Sequence, residues 1–539
     1  MRIPSAPGGL PYWPRTALPS GLVPATVRLR DRLLARVGSD GAVRAPCDSR
    51  VLETALMLAL LDRTGREPAA RSRLAACLST HRDASEPLDR LLALAALDGR
   101  AVRDHLDVDA FVARAPEFTG PRKRALLHAV LLLLGAAPAP RFPAPEAFSP
   151  NGLHSWARVQ VTAVKVILAH ACGTPGRVEE RDLELLRSTQ RAGEVWEGNL
   201  LIHLSVLHAL APLPRHDRLV SHGIRTALQH QRADGGMPFI RDEDTWVTAT
   251  AGVALHAAAA PPAAVNAVAR RLARIQHPGG GWSYTDGARL ADVDCTSVAA
   301  EVLHLAGHGT HHARIDRALG ALHRLRGNDG GFPTYLAGAP SEAGMTAAAV
   351  NALSTRGPVH RAALGAAVAC LASQQRPDGS FPPDWSRSRL HTVFRATLAA
   401  RHHLGTSTAE GPAQRVIRRA VTLVRASQNP DGGWGQQDGD ASDALSTAYA
   451  LITLSTRAPA TPTVARGVDY LLAQQRTDGS LTSVPDSIGP RPFGFSVPAL
   501  ADVFALLALG HLTRRLAPAP PARIRAARSV ALEEPAAPR

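Results

Sequence analysis

Two aspartates one residue apart, Asp292 and Asp294 in the run ADVDCT, stand where a glycine-rich loop gives way to an apolar helix. Gly279, Gly280 and Gly281 oppose helix and permit positive φ, so Trp282 and Tyr284 belong to a loop. Val298, Val302 and Leu305 then recur at helical spacing, which makes the aspartates the start of that helix. Where such a helix mouth opens into a dry pocket, repulsion and desolvation keep one of two carboxyls protonated near neutral pH. A carboxylic acid held un-ionised in an apolar cavity is a proton donor to something unreactive. The competing reading is an ordinary N-cap, because Asp244 and Asp443 also begin apolar helices.

The rest of the chain reads as scaffold for that pair. Turns recur as QRADGGMPF from Gln231, QHPGGGWSY from Gln276, GNDGGFPTY from Gly327, QQRPDGSFPPDW from Gln374, QNPDGGWGQQ from Gln428 and QQRTDGSLTS from Gln474. They lie roughly 50 residues apart, the period of stacked supersecondary units. Each follows an arginine-bearing helix and precedes an alanine-rich one, such as those from Trp246, Met345, His391 and Leu445. The first kind has one polar face and belongs outside; the second has none and must be enclosed. Six such hairpins close into a double-walled ring, an α/α toroid with the inner-helix starts at one end. Residues 50 to about 225 also alternate helices, with the Asp-Gly turns decayed, and read as a second, divergent helical barrel. The first twenty residues and the proline- and arginine-rich tail from Ala517 read as disordered.

Composition narrows the function. With 539 residues the chain has room for more than one domain, and sparse aromatic and β-branched residues disfavour a large sheet. The net charge of +15 is carried almost wholly by arginine, Lys123 and Lys165 being the only lysines. Coding bias explains that excess better than a polyanion partner, since no nucleic-acid motif accompanies it. Cys47, Cys77, Cys172, Cys295 and Cys370 are scattered and odd in number, which argues against a disulfide framework and for a reducing cytoplasm. The N-terminus lacks the apolar core of a signal peptide, and no run is long and apolar enough to span a bilayer, although a helix face resting on a membrane is compatible with the sequence.

The Gln-x-x-Asp-Gly turns resemble the QW repeats of triterpene and class II terpene cyclases, and DVDCT at 292–296 resembles their DxDD-type acid motif. Sterol-forming members carry Asp-Cys-Thr here, so the chain looks intermediate. The resemblance spans about residues 25 to 512 and implies two α/α barrels: a β domain over 21–45 and 226–516, and an inserted γ domain over 46–225. No DDxxD or NSE-like metal motif is present. The implied reaction is protonation of a terminal alkene or epoxide by Asp294, with Asp292 as electrostatic partner, followed by ring closure through a cation.

Several residues are then assigned by resemblance. Hopene-forming relatives hydrogen-bond the acid through a histidine where this chain has Ala348; His391, one repeat on, is either its replacement or a core histidine without a partner. Cys295 either holds the carboxylate by a weak S–H bond or is simply small and buried. Trp246, Tyr284 and Phe493 fall at cavity-aromatic positions, where ring faces stabilise passing cations by about 0.5–2 kcal/mol each, whereas Trp282, Phe332, Phe381 and Trp434 occupy packing turns. The plain cavity favours a C15 or C20 prenyl diphosphate, farnesyl or geranylgeranyl, over C30 squalene. Arg387, Arg389 and Arg491 are expected to hold the diphosphate, with Glu53 helping to bind Mg2+ as the corresponding acidic stretch does in relatives. Asp242, Glu243 and Asp244 read as a solvated helix start. The rival of another class is a zinc-dependent protein prenyltransferase β-like subunit, with Asp292 or Asp294, Cys295 and His391 as ligands.

Overall fold

The computed structural model describes residues 12–99, 107–114, 119–137, 141–307, 309–404, 411–456 and 461–518. Six inner helices, Asp244–Ala257, Val293–Leu305, Ala343–Ser354, Leu390–His402, Ala444–Ser455 and Ala499–Arg515, each pack on the next, and the last packs on the first. Every residue of Ala444–Ser455 is buried, as a helix without a polar face requires. Outside them stand Pro262–Ile275, His312–Leu325, Arg361–Gln374, Pro412–Ala426 and Pro462–Gln474. The sixth outer helix comes from the other end of the chain, Leu22–Ala35 packing on Ala499–Arg515. Pro412–Ala426 shows why such helices stay outside: Val416, Ile417, Ala420 and Val424 are buried while Arg418 and Arg425 are exposed.

The turns lock the hairpins together. Gln276 donates from Nε2 to the carbonyl of Gly280 in its own turn (2.7 Å) and to that of Arg314 on the next outer helix (2.9 Å). Gln375, Gln428 and Gln475 repeat the double bond, and Gln475 closes the ring by reaching Ala25 on the N-terminal helix. Gly280 has φ +96°, and a Cβ there would strike the carbonyl of Arg317, so the turn approaches the neighbouring helix as only glycine allows. Trp282 and Trp434 are fully buried in their turns, each donating its indole N–H to an outer-helix carbonyl, Leu272 and Val424.

A second helical unit is built on Val51–Thr64, Gly120–Leu133, Ser155–Ala171 and Leu200–Leu210, which touch in a cycle. The described residues are otherwise helix and loop, apart from a two-residue antiparallel pair, Ser487–Ile488 with Gly494–Phe495. The expected disorder of residues 1–20 does not extend to Trp13, whose ring is 2% exposed beneath the guanidinium of Arg515. The backbone N–H of Trp13 donates to the Arg515 carbonyl because the N-terminal helix must return to the last inner helix to close the ring. Residues 1–11 and most of the tail from Ala517 lie outside the described residues. No described helix is long and apolar enough to cross a membrane.

Candidate active site

A cavity of about 330 Å³ lies between the ring and the second unit. The ring contributes Asp292, Asp294, Cys295, Glu243, Trp246, Tyr284, His391 and Tyr449; the second unit contributes Arg122, Lys123, Trp156 and Ile202. The acidic residues reach it because the glycine turn ends at Asp292, whose N–H bonds the Trp282 carbonyl and whose backbone is extended before the helix begins.

Asp292 is the N-cap, its Oδ1 accepting the Cys295 N–H at 2.7 Å. It is 6% exposed. Burial pushes its carboxyl up to about 7, against the hydrogen bonds from Cys295 and with the charge of Asp294 adding to the rise. Asp294, in the first helical turn and largely buried, meets Arg395 through both oxygens, with Nη1 2.9 Å from Oδ2 and Nη2 on Oδ1. Burial opposes the charge of Arg395, but Asp294 outweighs it and the guanidinium is raised above its ordinary range, with Asp384 and Glu301 adding to the effect. Glu243 is pushed up to about 8 by burial and by Asp294 and Asp292.

Several expectations need correcting. Asp294 does not stand alone with Asp292; its direct partner is a guanidinium. His391 lines the cavity but makes no bond to Asp294; its ring lies against Phe394, Tyr449 and Phe504. Arg395, one turn further along the same helix, occupies the position toward the acid. Cys295 bonds Asp292, through backbone N–H and thiol, and not Asp294. Trp246 and Tyr284 line the cavity, whereas Phe493 packs edge-on against Phe111, outside it. The acidic cluster at 242–244 is no solvated start: Asp242 is 9% exposed and bonded by Arg241 and Thr285, Asp244 takes the Ala45 N–H, and Glu243 faces the cavity.

The expected anion site also moves. Arg389 pairs with the exposed Asp438, and Arg387 lies against Gly494 with Glu86 at 3.9 Å; neither lines the cavity. Arg491 does, stacked 4.3 Å over Trp385 and paired with Glu342 at 2.5 Å. Glu53 is wholly buried, pairs through both oxygens with Arg50 and does not line the cavity, so it is not placed to meet an ion there. Arg122 and Lys123 take the open position, with no carboxylate partner among the described residues. Burial and the charges of Arg491, Arg122 and Arg50 bring Lys123 down to about 7. Two signals pointed there: Lys123 is one of two lysines in the chain, and Arg395 is a charge inside an otherwise enclosed helix. The proposed zinc ligands do not assemble, and no described group of three or more His, Cys, Asp or Glu is placed to hold a metal.

A closed ring of six helix hairpins with paired carboxyls at an inner-helix start, over a second helical unit, is the arrangement of class II terpene cyclases, and the chain belongs to that family. It is 41% identical to a drimenyl diphosphate synthase of Streptantibioticus cattleyicolor, over 90% of this chain and 95% of the relative. A drimenyl diphosphate synthase of Streptomyces showdoensis is 40% identical over 92% and 95%. Residues 336–514 match the squalene-hopene cyclase C-terminal domain and residues 200–381 the prenyltransferase alpha-alpha toroid domain. The fold is shared with the ent-copalyl diphosphate synthase of Streptomyces platensis, at a TM-score of 0.59 and 19% identity over 92% of this chain and all of that one. The enzyme is a class II terpene cyclase, which sets aside the zinc-dependent prenyltransferase reading.

Proposed function

We propose that the enzyme protonates the terminal double bond of farnesyl diphosphate and closes rings with the diphosphate kept on the product. The observation that carries this is one cavity holding both an acid cluster and the unpaired cations Arg122 and Lys123. Asp294 takes up a proton from the neighbouring carboxyls of Asp292 or Glu243, which are held toward their protonated forms, and passes it to the alkene. Arg395 then stabilises the carboxylate left behind through the paired contacts it makes with both oxygens. Asp292 and Glu243, both held toward their protonated forms, keep negative charge from accumulating there. Trp246, Tyr284, Tyr449 and Trp385 line the cavity, where their rings stabilise the moving cation.

The diphosphate would lie against Lys123, Arg122 and Arg491, two of them supplied by the second unit. Farnesyl diphosphate is preferred to geranylgeranyl diphosphate because the relatives at 40 and 41% identity are drimenyl diphosphate synthases. The residues do not form a Mg2+ site around Glu53, so Mg2+ enters this reading only as a counter-ion carried with the diphosphate. A water-soluble diphosphate substrate fits the reading of a cytoplasmic enzyme; peripheral membrane contact belongs to the squalene alternative.

The test is incubation with farnesyl diphosphate, geranylgeranyl diphosphate and squalene, each with and without Mg2+, beside Asp294→Ala. A cyclised diphosphate from farnesyl diphosphate, absent with Asp294→Ala, is the expected result. Product from squalene alone would overturn it in favour of a triterpene cyclase.

A further inference from the structure

A cation made by adding a proton must lose one to become a neutral alkene, and the acceptor has to face the same cavity with a lone pair not already engaged. Most bases at the cavity fail that condition. Asp486 accepts from the Ser386 hydroxyl, the Ser388 N–H (2.9 Å) and the Tyr449 hydroxyl (3.0 Å). Glu342 is tied to Arg491 and to the hydroxyl and N–H of Thr334. Asp294 is held by Arg395, and Asp292 and Glu243 are acids that burial keeps protonated near neutrality. His154 uses Nδ1 to cap the Ala157 N–H.

His391 is the exception. It is 5% exposed and lines the cavity; its Nδ1 is shielded and unpartnered, and its Nε2, also without a hydrogen-bond partner among the described residues, is the ring nitrogen left with surface to accept a proton. Its ring is fixed among three others, with centroids of Tyr449, Phe394 and Phe504 at 5.2, 5.4 and 6.2 Å. Those faces favour positive charge beside it. On the helix Leu390–His402 it precedes Arg395, whose guanidinium grips Asp294, by four residues, which sets their backbone positions about 6 Å apart along the axis. Ring closure moves the cation away from the protonated carbon by the breadth of a small fused-ring skeleton, a displacement of the same order.

We propose that His391 is the base that ends the reaction. It takes a proton from a carbon adjacent to the final cation; the C–H electron pair becomes the new double bond, and the imidazole becomes imidazolium. One proton enters from Asp294 and one leaves to His391, so the product is an isomer of the substrate. Burial and the charge of Arg395 make the imidazolium unfavourable, which does not obstruct the step because a carbocation is a far stronger acid. It also returns the proton to water once product leaves. This inference rests on the farnesyl diphosphate reading.

The experiment compares wild type with His391→Phe and His391→Gln, with products identified after dephosphorylation and folding checked by circular dichroism. His391→Phe is expected to consume substrate within about tenfold of wild type while its products shift to isomeric alkenes and a water-captured alcohol. His391→Gln, whose side-chain oxygen can still accept, restores part of the original alkene. An unchanged product ratio in either folded variant overturns the proposal, as does a loss of consumption as deep as that of Asp294→Ala. If wild type does not cyclise farnesyl diphosphate, that reading fails separately, and the same comparison is made on the prenyl substrate it does cyclise.

Discussion

Arg395 grips both carboxylate oxygens of Asp294 from an inner helix two places further round the ring. The helix between them, Ala343–Ser354, has Gly344, Ala347 and Ala348 buried, small residues that leave room for the guanidinium to pass. Gly344 is needed for a second reason: a Cβ there would collide with Asp384, which adds its charge to the field around Arg395. The acid, its cationic partner and the space between them come from three separate repeats.

Arg395→Gln should therefore slow cyclisation by about 100-fold through kcat, with KM nearly unchanged, because the charge it stabilises develops as the proton leaves. Arg395→Lys keeps the charge without the fork and should recover only part of the rate. Steady-state kinetics on both variants check this. A rise in KM with kcat intact would show that Arg395 binds substrate instead.

Asp292 makes stability depend on pH. Its carboxyl is raised from 3.8 to about 7, so the folded protein holds a proton that the unfolded chain gives up. The stabilisation is fully present below the unfolded value and is lost as pH rises through the folded one. Asp292→Asn cannot titrate yet caps a helix about as well. Relative to wild type, its melting temperature should rise between about pH 5 and about pH 8. A difference that stays constant across that range would refute the assignment.

Lys123 sits at about 7 in the free enzyme because burial and three arginines disfavour its charge. An anion beside it restores the ammonium, so pyrophosphate binding near pH 7.5 should take up a proton. Titration calorimetry in two buffers of different ionisation enthalpy measures that uptake, which Lys123→Met should abolish. The same variant should raise KM for the prenyl diphosphate by about tenfold or more with a smaller change in kcat.

Gln375 tests what holds the ring. It is 5% exposed, and its Nε2 donates to Gly379 and Val416 at 3.1 Å each. Gln375→Ala removes the donor that ties the Gly379 turn to the Val416 carbonyl of the next outer helix and should lower stability by about 1–3 kcal/mol. Gly379→Ala should cost more, since φ is +97° and the added methyl would meet the Arg419 carbonyl. Denaturant unfolding measures both, and neither should alter the product.

Much of this was legible in the chain. The Asp-Gly turns, the alternation of polar-faced and apolar helices and the ADVDCT run located the ring and the acid, because helix periodicity and turn chemistry act over a few residues. Glu243 was misjudged because an acidic residue before a helix looks the same whether it meets water or a cavity. Glu53 was assigned by position, yet Arg50, three residues earlier, holds both its oxygens. Phe493, Arg387 and Arg389 lie near the right loops but point elsewhere, a matter of orientation that spacing does not encode.

The sequence by itself determined the hairpins, their order and the place of two carboxyls at one helix start, since each depends on neighbours along the chain. Tertiary structure alone decided that Asp294 meets Arg395, 101 residues away, and that Lys123 from the other helical unit faces the same cavity. The reason is physical: closing six hairpins brings side chains together according to helix rotation and the volume of the residues between them. Neither quantity is written in any short stretch of sequence.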